Sequence, residues 1–114
     1  MAVITIWHNP RCSKSRQTLA LIEDKGAVTI RKYLEDAPSA EEIRAALDLL
    51  GLAPVEIMRT GEARFRELGL AKTDEGDRLI AAMAENPILI ERPIVFANGK
   101  AAIGRPPEAV LDIL

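Results

Sequence analysis

Cysteine and histidine are almost missing: one of each occurs in 114 residues. With one cysteine no internal disulfide can form, and with one histidine beside it the usual structural zinc sets cannot be assembled within one chain. Long apolar runs are missing too, and the longest are far too short to span a bilayer. The opening stretch MAVITIWHNPRCSKSR has no basic region ahead of its apolar residues, so a secretory signal is not expected. A reducing cytoplasm, with no metal, no bound cofactor and no membrane partner, is the resulting expectation. One further absence is local. The first 22 residues hold no Asp or Glu, but do hold His8, Arg11, Lys14 and Arg16. The other 92 residues carry the remaining 12 basic groups and all 17 acidic ones, a net of −5. The single cysteine therefore sits inside the single strongly basic window.

What is present is ordinary for a globular chain: 48% hydrophobic and 28% charged residues, with a net charge of −2. This composition excludes collagen-like, disordered and disulfide-scaffold classes. It also argues against nucleic acid as a general partner. The length fits one domain over 1–114 with a core that needs no staples, and a monomer is expected.

Val3 to Trp7 is rich in β-branched residues and reads as a buried strand, stopped by His8-Asn9-Pro10. Ser13 or Ser15 is expected to cap the following helix, whose apolar face holds Leu19 and Ile22 and which Gly26 should end. Val28 to Tyr33 gives a second strand, and a strand, helix and strand in this span imply a parallel βαβ unit. Ser39-Ala40-Glu41-Glu42 is a capping-box pattern that opens a helix closed by Gly51. Pro54 predicts a shorter helix, 62–68 another turn, and Thr73 or Asp74 the start of a helix that Asn86-Pro87 stops. Residues 94–97 and 100–103 flank Asn98-Gly99 and read as a hairpin with a tight turn. A C-terminal helix over 107–114 completes the order. The fold class expected is α/β: a four-stranded mixed sheet with a βαβ start, inserted helices and a C-terminal ββα, an order that resembles a thioredoxin-like fold. In such folds a cis-proline opens the strand facing the active-site helix, which makes Pro93 the candidate here.

Cys12 falls between a strand and a helix N-terminus. Unpaired backbone N–H groups and the positive helix end favour thiolate over thiol there, and Arg11, Lys14 and Arg16 are expected to act in the same direction. Lowering a free-cysteine pKa of about 8.5 by about two units turns roughly 3% thiolate at pH 7 into roughly three-quarters. Only the thiolate is a good nucleophile. Ser15 stands where a CxxC motif would place its second cysteine, and its hydroxyl is expected to donate to the sulfur. Any oxidised state must then be resolved by an outside thiol. The alternative is that Cys12 is a small, inert core residue, and that His8, a steering or loop-holding group in the first reading, only packs at a strand end. Arg92 and Arg105 each precede a proline, which fixes their backbones as extended. With Arg59 they offer planar forks suited to a tetrahedral oxyanion; solvated surface arginines are the alternative.

Ile4-Thr5-Ile6-Trp7-His8-Asn9-Pro10-Arg11-Cys12-Ser13-Lys14-Ser15-Arg16 resembles the active-site segment of the glutaredoxin-linked arsenate reductases. The resemblance continues through Pro87–Val95 and Gly104–Leu114 and covers essentially the whole chain. It implies that Cys12 is the nucleophile attacking arsenic, that Arg59, Arg92 and Arg105 bind arsenate, that His8 assists the thiolate electrostatically and that Ser15 hydrogen-bonds it. It also implies glutathione as co-substrate and glutaredoxin as the partner that reduces the cysteine–glutathione disulfide. The loop departs from the family pattern at Arg11 and Lys14, where arsenate reductases tend to have small residues. These added cations further favour an anion, and are also compatible with a different oxyanion or an acidic thiol. Two other functions fit the same residues: a non-catalytic regulator that binds RNA polymerase, and a thiol oxidoreductase acting on glutathionylated substrates.

Overall fold

Ile4 and Ile6 are fully buried on one face of β1 (Val3–Trp7). Burying such a side chain is worth about 1.5–3 kcal/mol. A one-residue slip would exchange both for Thr5 and Trp7, so the register of β1 is fixed, and with it the point where the next loop emerges. In the computed structural model, which describes residues 3–114, the chain forms two compact units. One comprises the chain up to Asp36 together with Arg92–Leu114; the other is Ala37–Glu91.

The first unit holds the sheet, in the order β2-β1-β3-β4. β2 (Ala27–Arg31) runs parallel to β1, with Val3 opposite Ala27 and Trp7 opposite Arg31. β3 (Ile94–Ala97) pairs antiparallel with β1, and β4 (Lys100–Ile103) antiparallel with β3. Asn98 and Gly99 both have positive φ, 54° and 71°, as a two-residue type I′ hairpin requires. α1 (Ser13–Ile22) and a 3₁₀ helix (Pro107–Ile113) pack against one another. Their inner side chains Ile22, Val110 and Ile113 join Ile4, Ile6, Val95 and Ala97 in one apolar cluster. On the other face of the sheet Trp7 meets Phe96, ring centroids 5.0 Å apart, and the Arg31 guanidinium lies 6.0 Å from the Trp7 ring.

The second unit is helical. Ser39 and Glu42 close the anticipated capping box on α2 (Ala40–Leu50), and Gly51 ends it at φ 68°. A 3₁₀ helix (Pro54–Ile57), α3 (Ala63–Glu67), α4 (Gly76–Glu85) and a further 3₁₀ turn (Pro87–Leu89) follow. α4 packs on α2 and on both 3₁₀ segments, burying Leu79, Ile80, Ala82 and Met83. Met58 and Ile90 form an isolated antiparallel bridge.

Four local expectations change. α1 ends at Ile22, ahead of Gly26, because Lys25 N–H turns back to the Ile22 carbonyl and opens a turn. β2 stops at Arg31, where Glu35 and Asp36 N–H both return to the Lys32 carbonyl. α4 starts at Gly76, because the Asp74 carboxylate accepts from Ala71 N–H and pairs with Arg78. The C-terminal helix is 3₁₀ in form. No helix among the described residues is long and apolar enough to cross a membrane.

Candidate active site

Trp7 ends β1, and His8 N–H still reaches the Arg31 carbonyl at 2.8 Å. The loop then folds on Asn9. Its side-chain oxygen accepts from Arg11 N–H at 3.0 Å, and its carbonyl accepts from Cys12 N–H at 3.0 Å. Pro10, with no N–H to satisfy, occupies the bend. Cys12 is thereby delivered in extended conformation (φ −94°, ψ 123°) as the N-cap of α1. The cap is the cysteine itself; neither Ser13 nor Ser15 caps the helix with its side chain, because the hydroxyl of Ser15 is engaged elsewhere.

Cys12 is buried. Burial pushes its thiol pKa up, but the Ser15 backbone N–H, the Arg92 guanidinium through a hydrogen bond and through its charge, and the Lys14 backbone N–H outweigh this and leave it below the ordinary thiol value. The physical origin is thus helix-end donors together with guanidinium charge. The loop cations anticipated for this task do not perform it. Arg11 and Lys14 carry exposed side chains, and Arg16 donates from Nη1 to the Pro10 carbonyl at 3.0 Å.

Ser15 also differs from expectation. Its hydroxyl takes part in two bonds, one with His8 Nδ1 at 2.6 Å and one from Asn9 N–H at 3.0 Å, rather than one to the sulfur. Ser15 is fully buried and His8 nearly so. Burial, and then the charges of Lys32 and Arg16, hold the His8 pKa below the usual histidine range. The ring is therefore favoured in its neutral form at neutral pH. Its hydrogen bond to Ser15 ties it to the first turn of the helix that Cys12 caps.

Arg105 approaches from the segment after β4. Its Nε donates to the Arg92 carbonyl at 2.8 Å, and its Nη2 lies 3.6 Å from Cys12 Sγ. The Arg92–Pro93 bond is cis, as anticipated, and so is Arg105–Pro106, which the sequence did not suggest. Cys12, Arg92 and Arg105, separated by up to 93 positions, thus converge on one sulfur beside a helix N-terminus. A thiolate nucleophile, guanidinium forks and backbone donors together suit attack on a tetrahedral oxyanion.

A model of the ArsC family matches residues 7–113. The chain belongs to the ArsC family. Over 117 aligned residues, covering all of both chains, it is 46% identical to an arsenate reductase of Neisseria meningitidis. It is 50% identical to an uncharacterized protein in the glnII region of Streptomyces viridochromogenes, over 96% of this chain and 97% of that one. Among solved structures, an arsenate reductase from Vibrio cholerae superposes with a TM-score of 0.92 at 52% identity, over 98% of each chain. The fold is the thioredoxin-like α/β fold of ArsC proteins.

Two features of this ArsC site went unnoticed in the sequence. Gly104 donates its N–H to the Pro93 carbonyl at 2.9 Å. A Cβ at that position would stand 2.5 Å from Thr18 Oγ1 and 2.7 Å from Pro93 Cγ. Only glycine lets the chain that carries Arg105 press this closely on α1. Thr18, fully buried, is held by a bond from Oγ1 to the Lys14 carbonyl at 2.8 Å. The readable signal was a glycine directly ahead of Arg105-Pro106-Pro107. The remaining candidate, Arg59, belongs to the Ala37–Glu91 unit. There it is half-buried, its N–H bonds the Leu89 carbonyl at 2.7 Å, and its Nη1 pairs with Glu62 at 3.0 Å.

Proposed function

We propose that this ArsC-family chain reduces arsenate to arsenite, with Cys12 as nucleophile. The observation that carries the reading is the placement of the Arg105 guanidinium 3.6 Å from a sulfur that also bonds helix-end N–H groups and Arg92. These groups favour the thiolate first and a bound oxyanion second. The names of the relatives support the choice of arsenate.

The Cys12 thiolate attacks arsenic and forms an S–As bond, while one arsenate oxygen leaves as water after protonation. Arg92 and Arg105 neutralise the remaining oxygens, an electrostatic contribution that acts before and during the attack. Glutathione then attacks the Cys12 sulfur. An S–S bond forms, the S–As bond breaks, its electron pair stays on arsenic, and arsenic passes from As(V) to As(III). Two sulfurs have each given up one electron. Glutaredoxin returns Cys12 to the thiol by thiol–disulfide exchange with the cysteine–glutathione disulfide. The family resemblance offers Arg59 as a third oxyanion arginine, and its Nη1 is paired with Glu62 at 3.0 Å. The reaction needs no bound cofactor.

The test is an assay with glutathione, glutaredoxin, glutathione reductase and NADPH. Arsenate-dependent NADPH oxidation is expected for the native chain and none for Cys12→Ser. No oxidation by the native chain, while a working ArsC enzyme turns over alongside, would sink the reading.

A further inference from the structure

Arg11 is one of the two added cations of the active-site loop, and its side chain is exposed. It lines a cleft of about 260 Å³ together with His8, Asn9, Pro10, Lys32, Leu34 and Glu35. Every one of these residues belongs to the unit that holds Cys12. The cleft lies just under the range of about 300–1,000 Å³ usual for small-ligand pockets, which suits an occupant of tripeptide size. Pro10 and Leu34 give it an apolar part. Arg11, Lys32 and Glu35 are exposed at it, two cations and one carboxylate. None of these three side chains has a hydrogen-bond or ion-pair partner among the described residues.

We infer that this cleft seats the thiol co-substrate, a short peptide with two carboxylates and one ammonium, with its carboxylates on Arg11 and Lys32 and its ammonium on Glu35. The inference rests on the proposed use of glutathione, whose charges match in number and sign. Asn9, which lines the cleft, accepts from both Arg11 N–H and Cys12 N–H, so the cleft adjoins the loop that carries the nucleophile. The added charge of Arg11 is thereby assigned to recognition of the reductant and not to activation of the sulfur. A carboxylate beside Lys32 would also offset one of the charges that keep the His8 ring neutral, so occupancy has a spectroscopic signature. His8 is the only histidine, and its ring signals are unambiguous.

The test is an NMR titration of the His8 ring in the full chain with S-methylglutathione, which has the charges of the co-substrate but no free thiol. A saturable shift is expected, and the His8 titration midpoint should rise when the ligand is bound. Arg11→Ala with Lys32→Ala should weaken binding about fivefold or more, as should esterifying both ligand carboxylates. Lys72→Ala, outside the cleft, should bind as the native chain does. The inference is overturned by a shift that does not saturate, by equal affinity of the double variant or the diester, or by the same shift from sodium sulfate at matched ionic strength. A chain that binds S-methylglutathione in this way but does not reduce arsenate keeps the cleft and loses the proposed activity. A chain that reduces arsenate with glutathione and shows no saturable shift does the reverse.

Discussion

The carbonyl oxygen of Arg92 holds the side chain of Arg105, accepting from its Nε at 2.8 Å and leaving Nη2 directed at Cys12. One arginine therefore acts twice, with its guanidinium on the sulfur and with its backbone on its neighbour.

Arg105→Lys should separate charge from geometry. Lysine keeps the charge but has no fork with which to bond the Arg92 carbonyl and reach the sulfur together. A charge-assisted hydrogen bond is worth about 1.5–3 kcal/mol, so KM for arsenate should rise about tenfold or more, with unchanged circular dichroism. An unaltered KM would mean that charge alone suffices.

The thiol of Cys12 should react with iodoacetamide along a pH profile whose midpoint lies below that of free cysteine. Arg92→Ala should move the midpoint up, since it removes a hydrogen bond and a positive charge from the thiolate. A thiol with a lowered folded pKa adds stability as pH rises from that lowered value to the ordinary one, and loses it as pH falls back. Relative to Cys12→Ser, the native chain should therefore gain stability through that window, read from urea midpoints. A profile that coincides with free cysteine contradicts the site as described.

Ser15→Ala should act on the fold more than on the sulfur. It leaves His8 Nδ1 and Asn9 N–H without their shared partner in a buried place, at a cost of about 1–3 kcal/mol. The backbone N–H that reaches Cys12 is retained, so the alkylation midpoint should move little. A large upward move with intact stability would restore the hydroxyl as the donor to sulfur.

His8 should titrate below the usual histidine value in ring NMR spectra. Between the lowered and the ordinary value the unfolded chain binds more protons, so native stability should fall as pH falls through that window. His8→Gln should flatten this part of the urea-midpoint profile. Equal slopes for the two proteins would remove burial of the neutral ring from the account.

Gly104→Ala should cost about 1–3 kcal/mol by overpacking against Thr18 and Pro93. It should also raise KM for arsenate, because Arg105 follows directly. Gly104→Ala combined with Thr18→Ser removes the Cγ2 contact but keeps the Oγ1 one, and should recover little. Full recovery would place the strain elsewhere.

Elements with strong local rules were legible in the sequence. The Ser39–Glu42 capping box, the Asn98-Gly99 hairpin and the β-branched run Val3–Trp7 all emerge with the expected bounds. The position of Cys12 at the start of α1 was legible for the same reason, since Pro10 and the following serines mark a strand-to-helix turn. Side-chain directions were not. Ser15 and Arg11 lie three residues or fewer from the sulfur, yet the Ser15 hydroxyl is taken by His8 and the Arg11 side chain lines the cleft. Sequence proximity carries no information on which way a side chain points, and partners seven positions apart or more were decided by tertiary packing. Gly104 was missed because its reason is an absent Cβ, visible only once Thr18 and Pro93 are in place.

The place that a second cysteine would take is filled by Ser15, whose hydroxyl is already committed. Each oxidised molecule is consequently stranded until it collides with a donor, and its lifetime depends on the concentration of that donor. Intact-mass spectra should then contain two species under turnover, bare and singly adducted. Their ratio would serve as a direct gauge of the surrounding reductant supply.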